Sequence, residues 1–186
     1  MVSTRRAELR VIGAMKGKAR EDPAMLDSLR RTAAEIEKEL TKTCHNIVKL
    51  IEDEVMTSKH HIKGAEAIVF FKKMIADFNR YLCEFAEDRA AEKYYSEQAA
   101  GNYQEAEQIA RSNLPQTNPV RLSLHLNMSV FLWEVQGEQE RALELANRAF
   151  EEAIANIDTV NEENYKECTM ILQLIRDNIN LWSGEE

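Results

Sequence analysis

A stripe of polar side chains runs through an otherwise apolar stretch of the sequence after Asn118. At about 100° per residue, Ser123, Asn127 and Glu134 fall within about 40° of one another on a helix. Two apolar arcs flank the stripe: one holds Val120, Leu124, Met128, Phe131 and Val135, and the other holds Leu122, Leu126, Val130 and Trp133. Since an ordinary amphipathic helix has a single apolar face, this pattern predicts a groove that holds an extended chain by hydrogen bonds and side-chain packing.

A second stripe, on the third predicted helix, carries charge. Lys73, Asp77, Arg80 and Glu84 fall within about 60° of one another, with Tyr81 at the edge. One interpretation is a solvated face whose i,i+4 ion pairs contribute a few tenths of a kcal/mol each. The other is that the two carboxylates orient the two cations toward an anion. A guanidinium beside a phenol suits phosphate, which accepts charge-assisted and often bidentate hydrogen bonds.

Two further helices contribute polar side chains in less specific patterns. Arg6 and Arg10 lie i and i+4 on the first predicted helix and, taken alone, are surface arginines. Asn178 lies in the middle of an apolar face that spans about 200° around the last helix. A buried amide in that position must find hydrogen-bond partners. The sequence leaves two sources of partners open, a neighbouring backbone or a bound chain.

The remaining residues predict no catalytic or metal site. His60 and His61 share a polar loop without nearby cysteines or paired carboxylates, while His45 and His125 are isolated and expected to be structural. The chain contains no glycine-rich phosphate loop, nucleophile elbow, His-Glu-x-x-His or Cys-x-x-Cys motif. The sequence therefore argues against an enzyme and predicts neither a metal nor a cofactor.

Composition limits the class of protein. The 186 residues are 44% hydrophobic and 30% charged with three Pro, too apolar for disorder and too poor in turn formers for an all-β chain. The net charge of -8 argues against a nucleic-acid partner. Without an apolar run of about 18 residues or a secretory signal, we expect no membrane segment. Three widely spaced cysteines indicate reduced thiols, so the expected location is cytoplasmic.

The elements that must position these residues are predicted to be helices, because long stretches are rich in Ala, Glu, Leu, Lys and Arg. Seven are expected, over about 2–20, 23–56, 65–86, 88–113, 119–136, 138–157 and 159–182. Asn118 is the predicted N-cap of the fifth, with Pro119 in its first turn. Thr159, with Glu162 three residues later, is the predicted capping box of the seventh. We expect one domain over 1–182 and a frayed tail over 183–186.

A faint internal repeat suggests how the helices stack. The segment Gly101-Asn-Tyr-Gln-Glu-Ala106 recurs as Gly137-Glu-Gln-Glu-Arg-Ala142, close to the spacing of about 34 residues in tetratricopeptide repeats. Two copies do not establish an array. They do predict antiparallel helix pairs packed side by side, an arrangement that makes a concave face.

Four segments resemble the 14-3-3 family. Its seventh-helix signature is similar to residues 118–134, which begin Asn-Pro-Val-Arg-Leu-Ser-Leu-His-Leu-Asn, and its last helix closely resembles residues 165–182. Its phosphate-site helix resembles Phe71-Lys-Lys-Met-Ile-Ala-Asp-Phe-Asn-Arg-Tyr-Leu82. The end of its double-arginine stretch resembles Arg5-Arg6-Ala-Glu-Leu-Arg10. The similarity covers nearly the whole chain, and the last two helices are the most specific.

The resemblance implies an all-α, antiparallel helix bundle with tetratricopeptide-like stacked pairs and a concave amphipathic groove. It also implies an adaptor that binds phosphoserine- or phosphothreonine-containing segments of partner proteins. By position, Arg6, Arg80 and Tyr81 would contact the phosphate, with Lys73 beside it. Asn127 and Asn178 would hydrogen-bond the peptide backbone, with Glu134 alongside. The apolar groove wall would consist of Leu126, Val130, Met170, Leu174 and Trp182.

The sequence also departs from the family pattern. The resemblance starts inside the family's third helix, so a homodimer stays open while a family-type dimer, built largely on the first two helices, is in doubt. A phosphate-contacting lysine of the family would precede Met1. Each hydrogen bond to a charged group contributes about 1.5–3 kcal/mol, so two arginines and a tyrosine can still bind phosphate. Losing one cation would weaken binding about tenfold or more. Glu8 replaces a dimer-facing serine, which excludes phosphorylation there.

Two alternatives to a phosphopeptide adaptor stay open. The repeat at Gly101 and Gly137 is compatible with a tetratricopeptide-like scaffold that binds unphosphorylated peptides. A truncated remnant with impaired phosphopeptide binding would follow if loss of the family's first helices exposed the apolar seam of the first two helices here. Phosphate dependence of peptide binding separates the first alternative from the adaptor, and light scattering detects the aggregation expected of the second.

Overall fold

The computed structural model describes residues 2–19, 22–57 and 64–184, which form seven α-helices and no strand. The helices are α1 (Val2–Lys18), α2 (Pro23–Leu50), α3 (Ala65–Glu84), α4 (Arg89–Asn113), α5 (Pro119–Phe131), α6 (Gln139–Ile154) and α7 (Glu162–Ser183). The expected all-α class is confirmed for these residues. His60 and His61, Arg20 at the end of the predicted first helix, and the last two residues of the predicted tail lie outside them.

Asp and Asn side chains cap the first turns of α2, α4 and α5. The Asn118 side chain accepts a hydrogen bond from the backbone N–H of Arg121 at 3.1 Å, with Pro119 in the first turn of α5, which confirms the predicted N-cap. Asp88 caps α4 in the same way, through the N–H of Ala91 at 2.8 Å. These bonds satisfy donors that the first helical turn leaves without an internal partner.

The predicted capping box of the last helix is wrong. Residues Ile157–Thr159 form a short 3-10 turn, and the Thr159 hydroxyl donates to the backbone oxygen of Asn156. Asn161 caps α7 instead, because its side chain accepts from the N–H of Asn164 at 2.9 Å. Asparagine caps at least as well as threonine, so the better cap two residues further on determines where the helix begins.

Two helices end in a single π-helical turn, Ile51–Val55 after α2 and Leu132–Gln136 after α5. Gly137 ends the second of these turns with φ 67°, a left-handed conformation that glycine adopts without steric cost. Because i→i+5 bonding changes the number of residues per turn, side chains after Leu132 leave the positions of a regular α-helix. Trp133 and Glu134, both on the faces that the sequence analysis singled out, lie on this turn.

Four packing clusters hold the described helices together, and the smallest (Leu132, Ala142 and Leu145) joins the turn after α5 to α6. Each of the other three spans consecutive helices. The first joins α3, α4 and α5 through Val69, Ala76, Ala99, Tyr103, Ala106, Ala110, Leu124 and Phe131. The second joins α5, α6 and α7 through Leu122, Ala146, Ala153, Cys168, Ile171, Leu172 and Ile175. The third joins α1 and α2 through Ile12, Ala33, Ile36 and Leu40. The many alanines let neighbouring helices approach closely, and α4 continues through Gly101 without a break.

The odd-numbered helices α3, α5 and α7 also contact one another in that order. This arrangement places the two sequence stripes, on α3 and α5, side by side. Cys44 and Cys168 are buried free thiols, and burial raises the pKa of Cys44 to about 11. In the described part of the chain, no helix combines the length and apolar character needed to cross a bilayer.

Candidate ligand-binding site

Two arginines from different helices meet at one aromatic ring. The guanidinium carbon of Arg6 on α1 lies 3.9 Å from the ring centroid of Tyr81 on α3, and that of Arg80 lies 4.8 Å from the same centroid. Cation–π attraction contributes about 0.5–2 kcal/mol per pair and offsets part of the repulsion between the two guanidinium groups. Residues that are more than seventy positions apart in the sequence are therefore adjacent in the fold.

Each of these arginines has a carboxylate beside it. Arg6 donates to the Glu84 carboxylate through Nε, at 3.3 Å, and through a terminal nitrogen. Arg80 Nη1 lies 3.7 Å from the carboxylate of Glu134, which follows α5. Glu84 is therefore the partner of Arg6 and not of Arg80, although the i,i+4 spacing on α3 suggested Arg80. The side chain of Glu84 turns toward α1, and Glu134, on the turn after α5, is the carboxylate beside Arg80.

Arg80 is the most buried cation of the cluster. Its side chain is 8% exposed, and its Nε has no hydrogen-bond partner among the described residues. Burial opposes the charge of Arg80, but the neighbouring Tyr103, Tyr81 and Asp77 outweigh burial and raise its pKa. The Nε–H is itself shielded from solvent, so the part of this guanidinium that can meet an anion is its terminal nitrogens, one of which lies 3.7 Å from Glu134.

Asp77 on α3 ties the charged stripe to the polar stripe of α5. Its carboxylate accepts hydrogen bonds from Lys73 Nζ at 2.7 Å and from the hydroxyl of Tyr103 on α4 at 2.5 Å. It also accepts from Asn127 Nδ2, which lies 3.0 Å from Oδ1 and 2.9 Å from Oδ2. Burial, followed by the charge of Asp77, raises the pKa of Tyr103 well above its ordinary value, so this hydroxyl stays a donor.

The residues predicted on α7 lie on one partly exposed face of that helix. Asn178 is half-buried and forms no side-chain hydrogen bond with any described residue. Leu174 and Met170, one and two turns earlier on the same face, are 48% and 59% exposed. An apolar face of this kind, left uncovered by the protein itself, is typical of a binding surface.

The other predicted wall residues pack around the junction of α5 and α7. Leu126 and Val130 are half-buried on α5, and Leu126 packs against the cluster that joins α5 to α7. Trp182 stacks on Trp133, with ring centroids 4.8 Å apart and planes inclined by 8°. No hydrogen bond or ion pair among the described residues links α7 directly to Arg6, Arg80 or Asp77, so α7 is connected to the charged cluster through α5.

Sequence reasoning missed two residues that the fold adds to this region. Tyr103 is fully buried and donates to Asp77, and its only signal was a place in the weak repeat that begins at Gly101. Trp133 was assigned to an apolar arc of α5, but its stacking on Trp182 depended on the path of α7. In both cases the missing information was which helix packs beside which.

Sequence comparisons with known proteins extend over nearly the whole chain. The family model described as "14-3-3 protein" matches residues 1–183. The chain is 40% identical over 187 aligned positions to 14-3-3-like protein GF14-F of Oryza sativa subsp. japonica, covering all of this chain and 70% of that protein. It is similar to 14-3-3-like protein A of Hordeum vulgare (40%) and to 14-3-3 protein 3 of Solanum lycopersicum (39%), with the same coverage.

A match over nearly the whole chain, at this identity and with an all-α fold of seven described helices, has one explanation. This chain belongs to the 14-3-3 family.

Proposed function

We propose that this chain is an adaptor that binds phosphoserine- or phosphothreonine-containing segments of partner proteins. The observation that carries the proposal is Arg80, a charged guanidinium that is nine-tenths buried and lies with Arg6 around the ring of Tyr81. Phosphate carries up to two negative charges and several acceptor oxygens, so it can accept bonds from both arginines at once.

The proposed groove runs along α3, α5 and α7. Phosphate would bind to Arg6, Arg80 and Tyr81, with Lys73 beside it. The peptide backbone would lie against Asn127 and Asn178, with Glu134 alongside. Side chains of the ligand would pack on the wall formed by Leu126, Val130, Met170, Leu174 and Trp182. The partly exposed Met170 and Leu174, and the lack of a protein partner for Asn178, support this assignment.

Charge balance makes phosphate recognition a competition. Arg6 is paired with Glu84, Arg80 approaches Glu134, and Lys73 is paired with Asp77, so the cluster is close to neutral before a ligand binds. Such a cluster has little attraction for a neutral hydroxyl. A dianion can draw the arginines from carboxylates that are partly exposed to solvent and weakly bound. We therefore expect strong dependence on the phosphoryl group.

The test compares phosphorylated peptides with their unphosphorylated twins. A library with a fixed phosphoserine and randomised flanks identifies the tightest-binding sequence, and fluorescence anisotropy gives Kd for that peptide with and without the phosphoryl group. We expect the phosphorylated form to bind at least 100-fold more tightly, since several charge-assisted hydrogen bonds are lost in its twin. Equal affinities would contradict the proposal and favour a scaffold for unphosphorylated segments.

Arg80→Glu locates the site. A carboxylate at position 80 would repel the phosphate, so we expect binding to fall below detection while the helical circular dichroism spectrum is retained. Arg31→Glu makes the same charge change at an exposed position on α2 and should leave Kd within about twofold of the original protein. Unchanged affinity of the Arg80 variant would mean that the phosphate binds elsewhere.

A further inference from the structure

The stack of Trp133 on Trp182 is the one parallel ring contact among the described residues. Its two planes are inclined by 8°, whereas the planes of the other aromatic pairs are inclined by 44° or more. Neither indole N–H has a hydrogen-bond partner in this part of the chain, and neither is a buried unpaired atom, so both N–H edges reach solvent. The pair therefore lies at the surface and is not part of the core.

Both rings are nevertheless held in place. Each indole packs against the small cluster of Leu132, Ala142 and Leu145, and Trp182 also packs against the cluster that joins α5, α6 and α7. Leu132 is buried and begins the π-helical turn that carries Trp133. Because moving either ring away would expose apolar surface to water, Trp133 is a stable cover on one face of the Trp182 ring.

The stack lies where the proposed groove approaches the charged cluster. Glu134 follows Trp133 in the chain, and its carboxylate lies 3.7 Å from Arg80 Nη1. Leu174 precedes Trp182 on α7 by about 12 Å, at about 1.5 Å per residue. Leu174 is exposed, whereas Trp182 is half-buried under Trp133. The apolar face of α7 is therefore open at its far end and covered at the end nearer Arg80.

We infer that Trp133 is a specificity-determining residue that covers the ring of Trp182, so that the ligand residue at this end of the proposed groove has no ring face to stack on. The inference rests on the proposed phosphopeptide function and adds a side-chain preference to it. Stacking requires a free aromatic face. A flat ring at this ligand position consequently gains nothing over an aliphatic side chain of the same size. Removing the Trp133 indole opens a ring-sized space beside Trp182.

The test compares a flat ring with a saturated ring in the ligand. Phenylalanine and cyclohexylalanine have the same carbon skeleton, but only phenylalanine can stack. Each replaces, in turn, every residue that flanks the phosphoserine in the peptide selected above. Fluorescence anisotropy then gives Kd with the original protein, Trp133→Ala, Trp133→Leu and Leu181→Ala. Leu181 adjoins Trp182 in the sequence, is 76% exposed, and provides the matched control.

The ratio of the two Kd values separates the variants. For the original protein and Leu181→Ala we expect the two peptides to bind within about twofold of each other at every position, since they bury similar area. In Trp133→Ala, phenylalanine should bind about fivefold or more tightly at one position, because its ring replaces the missing indole. Trp133→Leu should show a smaller preference at that position, since leucine fills part of the space. A purely structural role would weaken both peptides alike.

Free indole gives a second readout that needs no peptide. It should raise the Tm of Trp133→Ala in proportion to the logarithm of its concentration, because it binds the folded state alone. The Tm of the original protein, in which Trp133 occupies the space, should not change. Failure of indole to stabilise Trp133→Ala would show that no ring-sized space opens beside Trp182, and would overturn the inference.

The peptide results can also contradict the inference. A preference for phenylalanine in the original protein would require a free ring face on Trp182. Equal ratios in the original protein and Trp133→Ala would remove the specificity role, and with phosphate dependence retained they would leave the proposed function intact. Loss of phosphate dependence for the parent peptide would instead overturn the proposed function. If circular dichroism shows that Trp133→Ala is unfolded, Trp133→Leu decides, and a ratio equal to that of the original protein contradicts the inference.

Discussion

At the scale of single residues, position in the fold and not residue type separates the charges of the candidate site from the ordinary ones. Arg5 and Arg6 are neighbours on α1, yet Arg5 pairs with Glu8 and Glu39 at 2.8 and 2.9 Å while Arg6 reaches Tyr81. Exposed pairs such as those of Arg5 add little to stability, because solvent screens the charges. Arg6 and Arg80 differ because they share one aromatic ring and because Arg80 is removed from solvent.

A buried hydrogen bond between His125 and Glu107, outside the candidate site, stabilises the packing of α4 against α5. His125 Nε2 lies 2.5 Å from the Glu107 carboxylate, and both side chains are largely buried. Burial on its own would raise the pKa of Glu107. The hydrogen bond from His125 and the charges of His125, Arg111 and Arg121 outweigh burial, and the pKa is lowered from its ordinary value of 4.5.

Glu107→Gln should therefore lower the free energy of unfolding by about 1–3 kcal/mol at neutral pH. Because the pKa of Glu107 is lower in the folded than in the unfolded chain, its stabilising contribution is fully present above the ordinary glutamate pKa and is lost as pH falls through the folded-state pKa. Urea denaturation at several pH values should show the largest difference from the original protein above pH 5, shrinking toward pH 3.

Glu97→Gln is the matched control for this prediction. Glu97 lies on the same helix, and among the described residues its only ion pair is an exposed one with Lys93 at 3.8 Å. Its replacement should change stability by less than about 0.5 kcal/mol at any pH. If both variants lose the same stability with the same pH dependence, the buried pair does not make the stated contribution.

At the scale of helices, caps decide which residues enter a helix and hence which face each side chain occupies. The sequence signal at Thr159 and Glu162 matched a capping box, yet Asn161 caps α7. The 3-10 turn over Ile157–Thr159 uses the Thr159 hydroxyl for a backbone oxygen behind it. A local motif predicted the presence of a helix start but placed it two residues too early.

Two alanine substitutions distinguish these starts. Asn161→Ala removes the observed cap of α7 and should lower the free energy of unfolding by about 1 kcal/mol, measured by urea denaturation. Thr159→Ala removes one exposed hydrogen bond within the turn and should cost less than half as much. A larger loss of stability in Thr159→Ala than in Asn161→Ala would instead support the capping box that the sequence suggested.

At the scale of the whole molecule, the proposed phosphate links helices that otherwise share few contacts. The main packing of α1 is against α2, and its connection to α3 includes Arg6, through Glu84 and Tyr81. A ligand held by both Arg6 and Arg80 would add a second connection between α1 and α3. Binding that occurs only in the folded state stabilises it, by about 2.7 kcal/mol at a ligand concentration of 100 Kd.

Amide hydrogen exchange measured by mass spectrometry should report this link. The selected phosphoserine peptide should slow exchange over residues 2–18, by up to about 100-fold at that concentration, while its unphosphorylated twin should have no effect. Arg6→Ala should remove most of the added protection of α1. Arg5→Ala, next in sequence but paired with Glu8 and Glu39, should retain it. Equal protection in the two variants would show that the phosphate does not engage α1.

Much of the fold follows from the sequence, because the signals that determine it are local. Helix formers, the N-cap at Asn118 and the glycine at Gly137 act within a few residues of themselves, so the number and type of helices could be predicted. The polar stripe through Asn127 was visible for the same reason, since a helical face is a property of spacing alone. Family resemblance then singled out candidate residues among many similar surface charges.

The tertiary structure alone decided how those residues are paired and which atoms they present. Arg6 with Glu84, Asn127 with Asp77, and His125 with Glu107 each join positions on different helices. Such contacts depend on the relative rotation of packed helices, which the burial of distant apolar side chains sets and no short segment encodes. The sequence thus determined which side chains were available on each helix, and the packing of the described helices determined which of them meet, which are buried, and which way the Asn127 amide faces.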